Sequence, residues 1–329
     1  MTDTSLAEKA RSGDRRALAR LLTQVENRTA AGEAALKTLY PLAGRAHLVG
    51  VTGAPGSGKS TLVAALTGVA RLAGRPVAVI AIDPSSPITG GAILGDRVRM
   101  QIHATDDDVF IRSMASRGHS GGLAASTVAA AAVIDAAGFG LIFIETVGTG
   151  QSEVEVAAIA DTTVVVQSPE MGDEVQAIKA GLLEVADIVV VNKSDRPGAD
   201  RAAAQLRAML TVGASADKAA LAEGRPRPKR PEVMLCSALT GAGVADLLAA
   251  LDRRAPAADS RLADGAALKR AEAQISGILA LRINAQLRDP GRATARDETL
   301  RAVAAHEIDP FTAADRLLAL LGERAAARD

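Results

Sequence analysis

Gly53-Ala54-Pro55-Gly56-Ser57-Gly58-Lys59-Ser60-Thr61 follows directly on the apolar run Leu48–Thr52. Glycines at 53 and 58, followed at once by Lys and Ser, fit the pattern of a phosphate-binding loop between a strand and a helix. Gly56 and Gly58 let backbone N–H groups turn inward where a Cβ would clash. The segment from Lys59 to Ala73 reads as a helix whose positive end faces the phosphates. Lys59 can reach the β- and γ-phosphates, and the Ser60 hydroxyl can ligate Mg²⁺. The whole stretch Gly53–Thr61 is therefore the candidate triphosphate cradle, with Ala54, Pro55, Ser57 and Thr61 supplying backbone.

Outward from this loop, short apolar runs alternate with helix-length segments. The runs are Leu48–Thr52, Val77–Ile82, Leu141–Ile144, Thr163–Gln167, Ile188–Val191 and Val233–Leu235. Runs of this kind, bounded by Gly, Pro or Asp, read as strands buried on both faces. They predict an α/β fold with a doubly wound, mostly parallel sheet. Ligands in such folds bind beyond the carboxyl ends of the strands, so chemistry is sought just after each run.

After Ile188–Val191 comes Asn192-Lys193-Ser194-Asp195. The Asp195 carboxylate can accept hydrogen bonds from N1–H and the exocyclic amine of guanine, a donor pair that adenine lacks. The Lys193 stem can cover the base plane. After Val233–Leu235, Cys236-Ser237-Ala238-Leu239 fits a third nucleotide loop, whose backbone N–H meets the guanine oxygen. After Leu141–Ile144, Glu145-Thr146-Val147-Gly148 fits a magnesium and γ-phosphate sensor. Glu145 holds the ion directly or through water, and the Gly148 N–H approaches the γ-phosphate. Lys59, Glu145 and Gly148 are the candidate catalytic groups. Ser60, Asp83, Asp96 and Glu145 make a plausible oxygen shell for Mg²⁺, with the direct ligand left open between Asp83 and Asp96.

Composition narrows the classes. Of 329 residues, 48% are hydrophobic and 23% charged, so a sizeable core can form. Aromatics are 2%, which argues against stacking platforms for single-stranded nucleic acid. The 38 basic and 38 acidic residues balance, so no net field points to nucleic acid or to an anionic membrane. The single cysteine, Cys236, forms no internal disulfide and no cysteine-based zinc site, which fits a reducing, cytoplasmic setting. The polar start MTDTSLAEKARSGD does not read as a signal peptide. Leu123–Ile144 is apolar, but Asp135, Gly138 and Gly140 interrupt it, so it reads as a buried helix and strand and not as a membrane span. Only eight lysines stand against thirty arginines, which makes Lys59, Lys179 and Lys193 informative, because an ammonium is not interchangeable with a guanidinium at a phosphate.

Residues 1–44 read as helical, with Leu18, Leu21, Leu22 and Val25 on one face and Pro41 as the stop. Gly224–Pro231 reads as a solvated loop. From about Pro256 the chain is helical, and Leu268, Ala271, Ile275, Ile278, Leu279, Ile283 and Leu287 form an apolar stripe. A helix over 259–288 would reach about 45 Å, an arm that can pack on its own domain or, the favoured reading, on a second copy.

Taken together these residues resemble the MeaB/ArgK family of P-loop GTPases, accessory proteins of adenosylcobalamin-dependent methylmalonyl-CoA mutase. The resemblance spans about residues 45 to 325. It is carried by Asp83–Met100, by Ser116-Arg117-Gly118 with Gly121-Gly122, by Glu145–Glu153 and by Gln167–Gly181. It implies a G domain over residues 45–256, an N-terminal helical extension over 1–44 and a C-terminal helical dimerisation arm over 257–329. It implies GTP and GDP as ligands, and a homodimer that gates cofactor delivery to an acyl-CoA mutase and protects that enzyme. It also implies nucleotide-sensitive switches near Asp83–Asp96, Glu145–Gln151 and Ser168–Lys179, with Gln151, Glu170, Asp173 and Lys179 as coupling residues. Thr149, where many GTPases carry a water-orienting Gln, predicts slow intrinsic hydrolysis that the partner accelerates. Three other readings are a nickel metallochaperone GTPase, a P-loop kinase or transport ATPase, and a scaffold that binds nucleotide without turnover. The first predicts clustered His and Cys, whereas His47, His103, His119, His306 and Cys236 are scattered. Asp195 argues against ATP.

Overall fold

The computed structural model describes residues 3–83, 103, 105–115, 122–146, 152–169, 180–222, 230–256 and 265–322. Asp96, Gly148, Gln151, Glu170, Asp173 and Lys179 lie outside the described residues.

The strands are β1 (His47–Thr52), β2 (Val77–Asp83), β3 (Val109–Ala115), β4 (Leu141–Thr146), β5 (Thr162–Gln167), β6 (Ile188–Val191) and β7 (Glu232–Leu235). They form one sheet in the order β3-β2-β4-β1-β5-β6-β7, and every neighbouring pair is parallel. β1, which feeds the glycine loop, lies centrally between β4 and β5. Two aspartates pin the register at the amino ends. The Leu48 N–H donates to Asp161 (3.0 Å), and the Thr163 N–H donates to Asp187 (2.8 Å).

Helices cover both faces, as strands without a polar side require. On one face α4 (Lys59–Leu72) and α9 (Val244–Arg254) pack against the odd-numbered residues Val49, Val51, Val77, Val79, Leu141 and Phe143. On the other face, α5 (Gly122–Ala136) and α6 (Ser152–Ile159) cover Ala78, Ile80, Ile82, Ile142 and Ile144. Further along that face, α7 (Ala180–Val185) and α8 (Ala199–Ala222) cover Val165, Val189 and Val191. Leu123–Ile144 resolves into a helix and a strand, as its interruptions predict. No helix among the described residues is long and apolar enough to cross a membrane.

The N-terminal segment folds as α1 (Asp3–Arg11), α2 (Arg15–Glu26) and α3 (Ala30–Leu39), ending in a 3-10 turn at Tyr40–Leu42 that holds Pro41. Leu18, Leu21, Leu22 and Val25 are buried on one face of α2 and share a core with α5 and the sheet. β3 is missing from the apolar runs read in the sequence, because Arg112 interrupts it. The partly buried Arg112 guanidinium donates to Glu26 (2.6 Å) and Thr23 (3.2 Å) of α2. Arg15 of α2 in turn donates to the carbonyls of Asp106 (2.7 Å) and Val109. This edge strand faces a helical layer through ion pairs, which is a pattern that hydropathy does not register.

The C-terminal helices are α10 (Gly265–Leu287), α11 (Ala293–Ala304) and α12 (Pro310–Gly322). α10 packs on α5, α6 and α12.

Candidate functional site

The loop between β1 and α4 is shaped by two glycines with no substitute. Gly53 sits at φ +135°, and a Cβ there would lie 2.1 Å from the Val166 carbonyl oxygen of β5. Gly58 sits at φ +91°, and its Cβ would lie 2.4 Å from Asn192 Nδ2. α4 then begins with no side-chain cap, so the loop backbone and the positive end of the helix face the space beyond β1. Lys59 is buried, and its ammonium donates to the carbonyls of Gly53 (2.9 Å) and Ala54 (3.1 Å). The lysine is thus folded over its own loop, where its charge sits at the mouth of the glycine turn.

Ser60 and Glu145 meet directly. The Ser60 hydroxyl donates to Glu145 Oε1 at 2.5 Å, a short charge-assisted bond between two buried groups. Glu145 is the penultimate residue of β4, and its register partner on β2 is Ala81. Asp83, two residues further along β2, therefore lies on the same face of the sheet, and it too is buried. Ser60, Asp83 and Glu145 are all hard oxygen donors, the set a small divalent cation such as Mg²⁺ takes. On the opposite face, Thr146 donates to Thr52 across β4 and β1 (3.1 Å), tying the ends of the two central strands together.

The second loop is brought to the first by one amide. Asn192, at the end of β6, is buried, and its Nδ2 donates to the carbonyls of Ser57 (2.9 Å) and Gly58 (3.4 Å). Its Oδ1 accepts from the Ala238 N–H (3.1 Å). One side chain therefore fastens the glycine loop, the Asn192–Asp195 loop and the Cys236–Leu239 loop into one unit. The sequence includes Asn192 among the binding residues, but no pattern in it discloses this clamp. Lys193 takes a left-handed backbone, φ +58°, and the Ser194 N–H donates to the Cys236 carbonyl (3.0 Å).

Asp195 is exposed, and its Oδ1 accepts from the Ser237 hydroxyl at 2.5 Å. That bond, with a backbone N–H second, holds the Asp195 carboxyl below the usual carboxylate range. It is therefore an acceptor-only group at neutral pH, as a reader of paired donors must be. Cys236 is the reverse case. Burial, with Asp246 adding to it, pushes its thiol up to about 12, so it serves as a small apolar residue and not as a nucleophile. Leu239 stands exposed beside this loop. Among the described residues no group of three or more His, Cys, Asp and Glu side chains is placed to hold a metal ion.

The family model described as "Methylmalonyl Co-A mutase-associated GTPase MeaB" matches residues 18–289. A Pyrococcus abyssi protein provisionally named a GTPase is 46% identical over 319 residues, covering 95% of each chain. The methylmalonic aciduria type A homolog of Caenorhabditis elegans, a mitochondrial protein, is 35% identical over 257 residues, covering 73% of this chain and 62% of that one. Among solved structures, a LAO/AO transport system kinase superposes with a TM-score of 0.67 at 26% identity, covering 98% of each chain.

Proposed function

This chain belongs to the MeaB family of methylmalonyl-CoA mutase-associated GTPases, and on that premise we propose that it binds and hydrolyses GTP as the accessory protein of an adenosylcobalamin-dependent acyl-CoA mutase. The observation that carries the nucleotide assignment is the Asn192 clamp, which sets a phosphate-type loop and an acidic base-reading loop at a common site.

Each residue then has a role that follows from its chemistry. Gly53–Thr61 wraps the phosphates with backbone N–H groups, and Lys59 swings from the Gly53 and Ala54 carbonyls to the β- and γ-oxygens. Ser60, Glu145 and Asp83 would hold Mg²⁺, which would supply charge neutralisation at the phosphates. Asp195 accepts from the guanine edge while Ser237 fixes its carboxylate, and Lys193 lies along the base. Gly148 and the loops at 83–96, 145–151 and 168–179 are the proposed sensors of the γ-phosphate, with Asp96, Gln151, Glu170, Asp173 and Lys179 as their polar members. Release of that phosphate loosens these loops, and a bound mutase receives the change.

The apolar side chains Leu268, Ile275 and Leu279 stand exposed on α10, which supports a homodimer formed along this helix. Two measurements test the proposal. In competition binding, GTP and GDP should displace labelled GTP while ATP does not, and displacement by ATP at equal concentration overturns the guanine assignment. The chain should also copurify with a cobalamin-dependent mutase in a manner that differs between GTP and GDP, with slow hydrolysis that the mutase accelerates. Equal turnover with and without the mutase would remove the accessory role and leave the GTPase standing.

A further inference from the structure

A cavity of about 210 Å³ opens between the N-terminal helices, α5 and α10. None of its lining residues belongs to the nucleotide loops. Its walls are apolar, set by Leu36 of α3, Ala129 of α5 and Ile278 of α10. Its rim is cationic, with Arg28, Lys37 and Arg282 against one carboxylate, Glu33. That carboxylate faces Arg282 across the rim at 3.7 Å.

Arg28 adds an independent clue. It follows the last turn of α2, where its N–H donates to the Val25 carbonyl, and its backbone is left-handed at φ +52°. Glycine is the residue that ends a helix this way without strain. This chain has 30 glycines, yet it carries a long cationic side chain here, on the rim of an apolar cavity.

We propose that this cavity binds an amphipathic monoanion, an unbranched aliphatic carboxylate whose tail fills the apolar space and whose head meets Arg28 and Lys37. An inorganic anion would gain nothing from the apolar walls, and a neutral hydrocarbon would gain nothing from the charges at the rim. The size is suitable, since an apolar cavity of about 150 Å³ already takes a benzene ring. The bound tail would touch α3, α5 and α10 together, so the ligand would join the C-terminal arm to the helices that flank the sheet.

Calorimetry on the full chain tests this with butyrate, hexanoate, octanoate and 1-octanol as probes. Affinity should rise about three- to fourfold per methylene until the cavity is filled, and then level off. The alcohol of equal length should bind about five- to tenfold more weakly than octanoate. Arg28→Gly relieves the left-handed strain, so its melting temperature should hold or rise while octanoate affinity falls about five- to tenfold. Ala129→Leu fills the cavity and should abolish the chain-length dependence. Absence of saturable octanoate binding overturns the proposal. So does equal binding of octanol and octanoate, or an Arg28→Gly variant that melts normally and binds octanoate unchanged. If Arg28→Gly lowers the melting temperature, Lys37→Ala replaces it as the test of the charged head.

Discussion

At the carboxyl end of the sheet, polar groups are buried and most are paired, whereas along the C-terminal helix α10 apolar groups stand exposed. Asn192, Ser57, Lys59, Ser60, Glu145 and Ser237 are each at most 6% exposed. Leu268, Ile275 and Leu279 of α10 are 75%, 58% and 54% exposed. A polar group out of water has to be satisfied by the chain itself, and Asn192, Lys59, Ser60 and Ser237 each find a partner within one copy, whereas the buried Ser57 hydroxyl has none among the described residues. The second inverts the usual preference, which is why the proposed homodimer is placed there. The nucleotide loops and the arm are therefore stabilised by different means, and they should fail separately when perturbed.

The largest effect should come from breaking the clamp. Asn192→Ala removes the donor to the Ser57 carbonyl and the acceptor of the Ala238 N–H, leaving groups unpaired in both loops. Buried groups stranded in this way cost about 1–3 kcal/mol each. Thermal unfolding should therefore fall by several degrees, and GTP affinity should drop by at least about thirtyfold, the fold-change for roughly 2 kcal/mol. The oligomeric state should not change. Calorimetric titration with GTP, beside light scattering on the same sample, reads both quantities. A variant that keeps its GTP affinity would show that the two loops hold their positions without Asn192.

Leu279→Asp probes the other region. A charge on the exposed stripe cannot be buried against a second copy without several kcal/mol of desolvation, so a dimer built on this face should dissociate. The variant's own fold should change by less than about 0.5 kcal/mol, because the side chain is more than half exposed within one copy. GTP binding should be unaltered. A dimer that persists in sedimentation would move the interface off this stripe. The contrast with Asn192→Ala is the informative part, since one substitution should change affinity without assembly and the other assembly without affinity.

These two regions were also unequally legible in the sequence. The glycine loop and Asn192–Asp195 could be read because close backbone approach and a guanine edge each demand particular residue types at fixed positions after a strand. The six apolar runs all became strands, five of them buried on both faces and the sixth, β7, partly buried at the sheet edge. β3 escaped because Arg112 sits in its middle, and the strand meets that charge with Glu26 and Thr23 of a helix some 86 to 89 positions away. The double role of Asn192 escaped because it depends on where two carbonyls and one N–H come to lie, and backbone atoms leave no trace in residue identity. The cavity beside Arg28 was invisible too, because it exists only where four helices, α2, α3, α5 and α10, meet. α10 was read as a stripe that packs on something, and the fold shows part of that stripe turned to the body and part turned outward.

The smallest effect concerns the proton on Asp195. The Ser237 hydroxyl is the main cause of its lowered pKa, followed by a backbone N–H. A carboxyl depressed in the folded state makes its contribution above its unfolded value, near 3.9, and loses it as pH falls through the folded value. Guanine binding by the native chain should thus survive acidification through the ordinary carboxylate range and fail only below it. Ser237→Ala removes the first-named cause, so the acid limb of GTP affinity should move upward in pH toward that ordinary range, with little change at neutral pH. The phosphates of GTP titrate identically in both proteins, and comparing the two limbs cancels that contribution. If the limbs coincide, the backbone donor alone holds Asp195 ionised, and the serine serves the loop's shape, consistent with the Thr240 N–H that it also accepts at 3.3 Å.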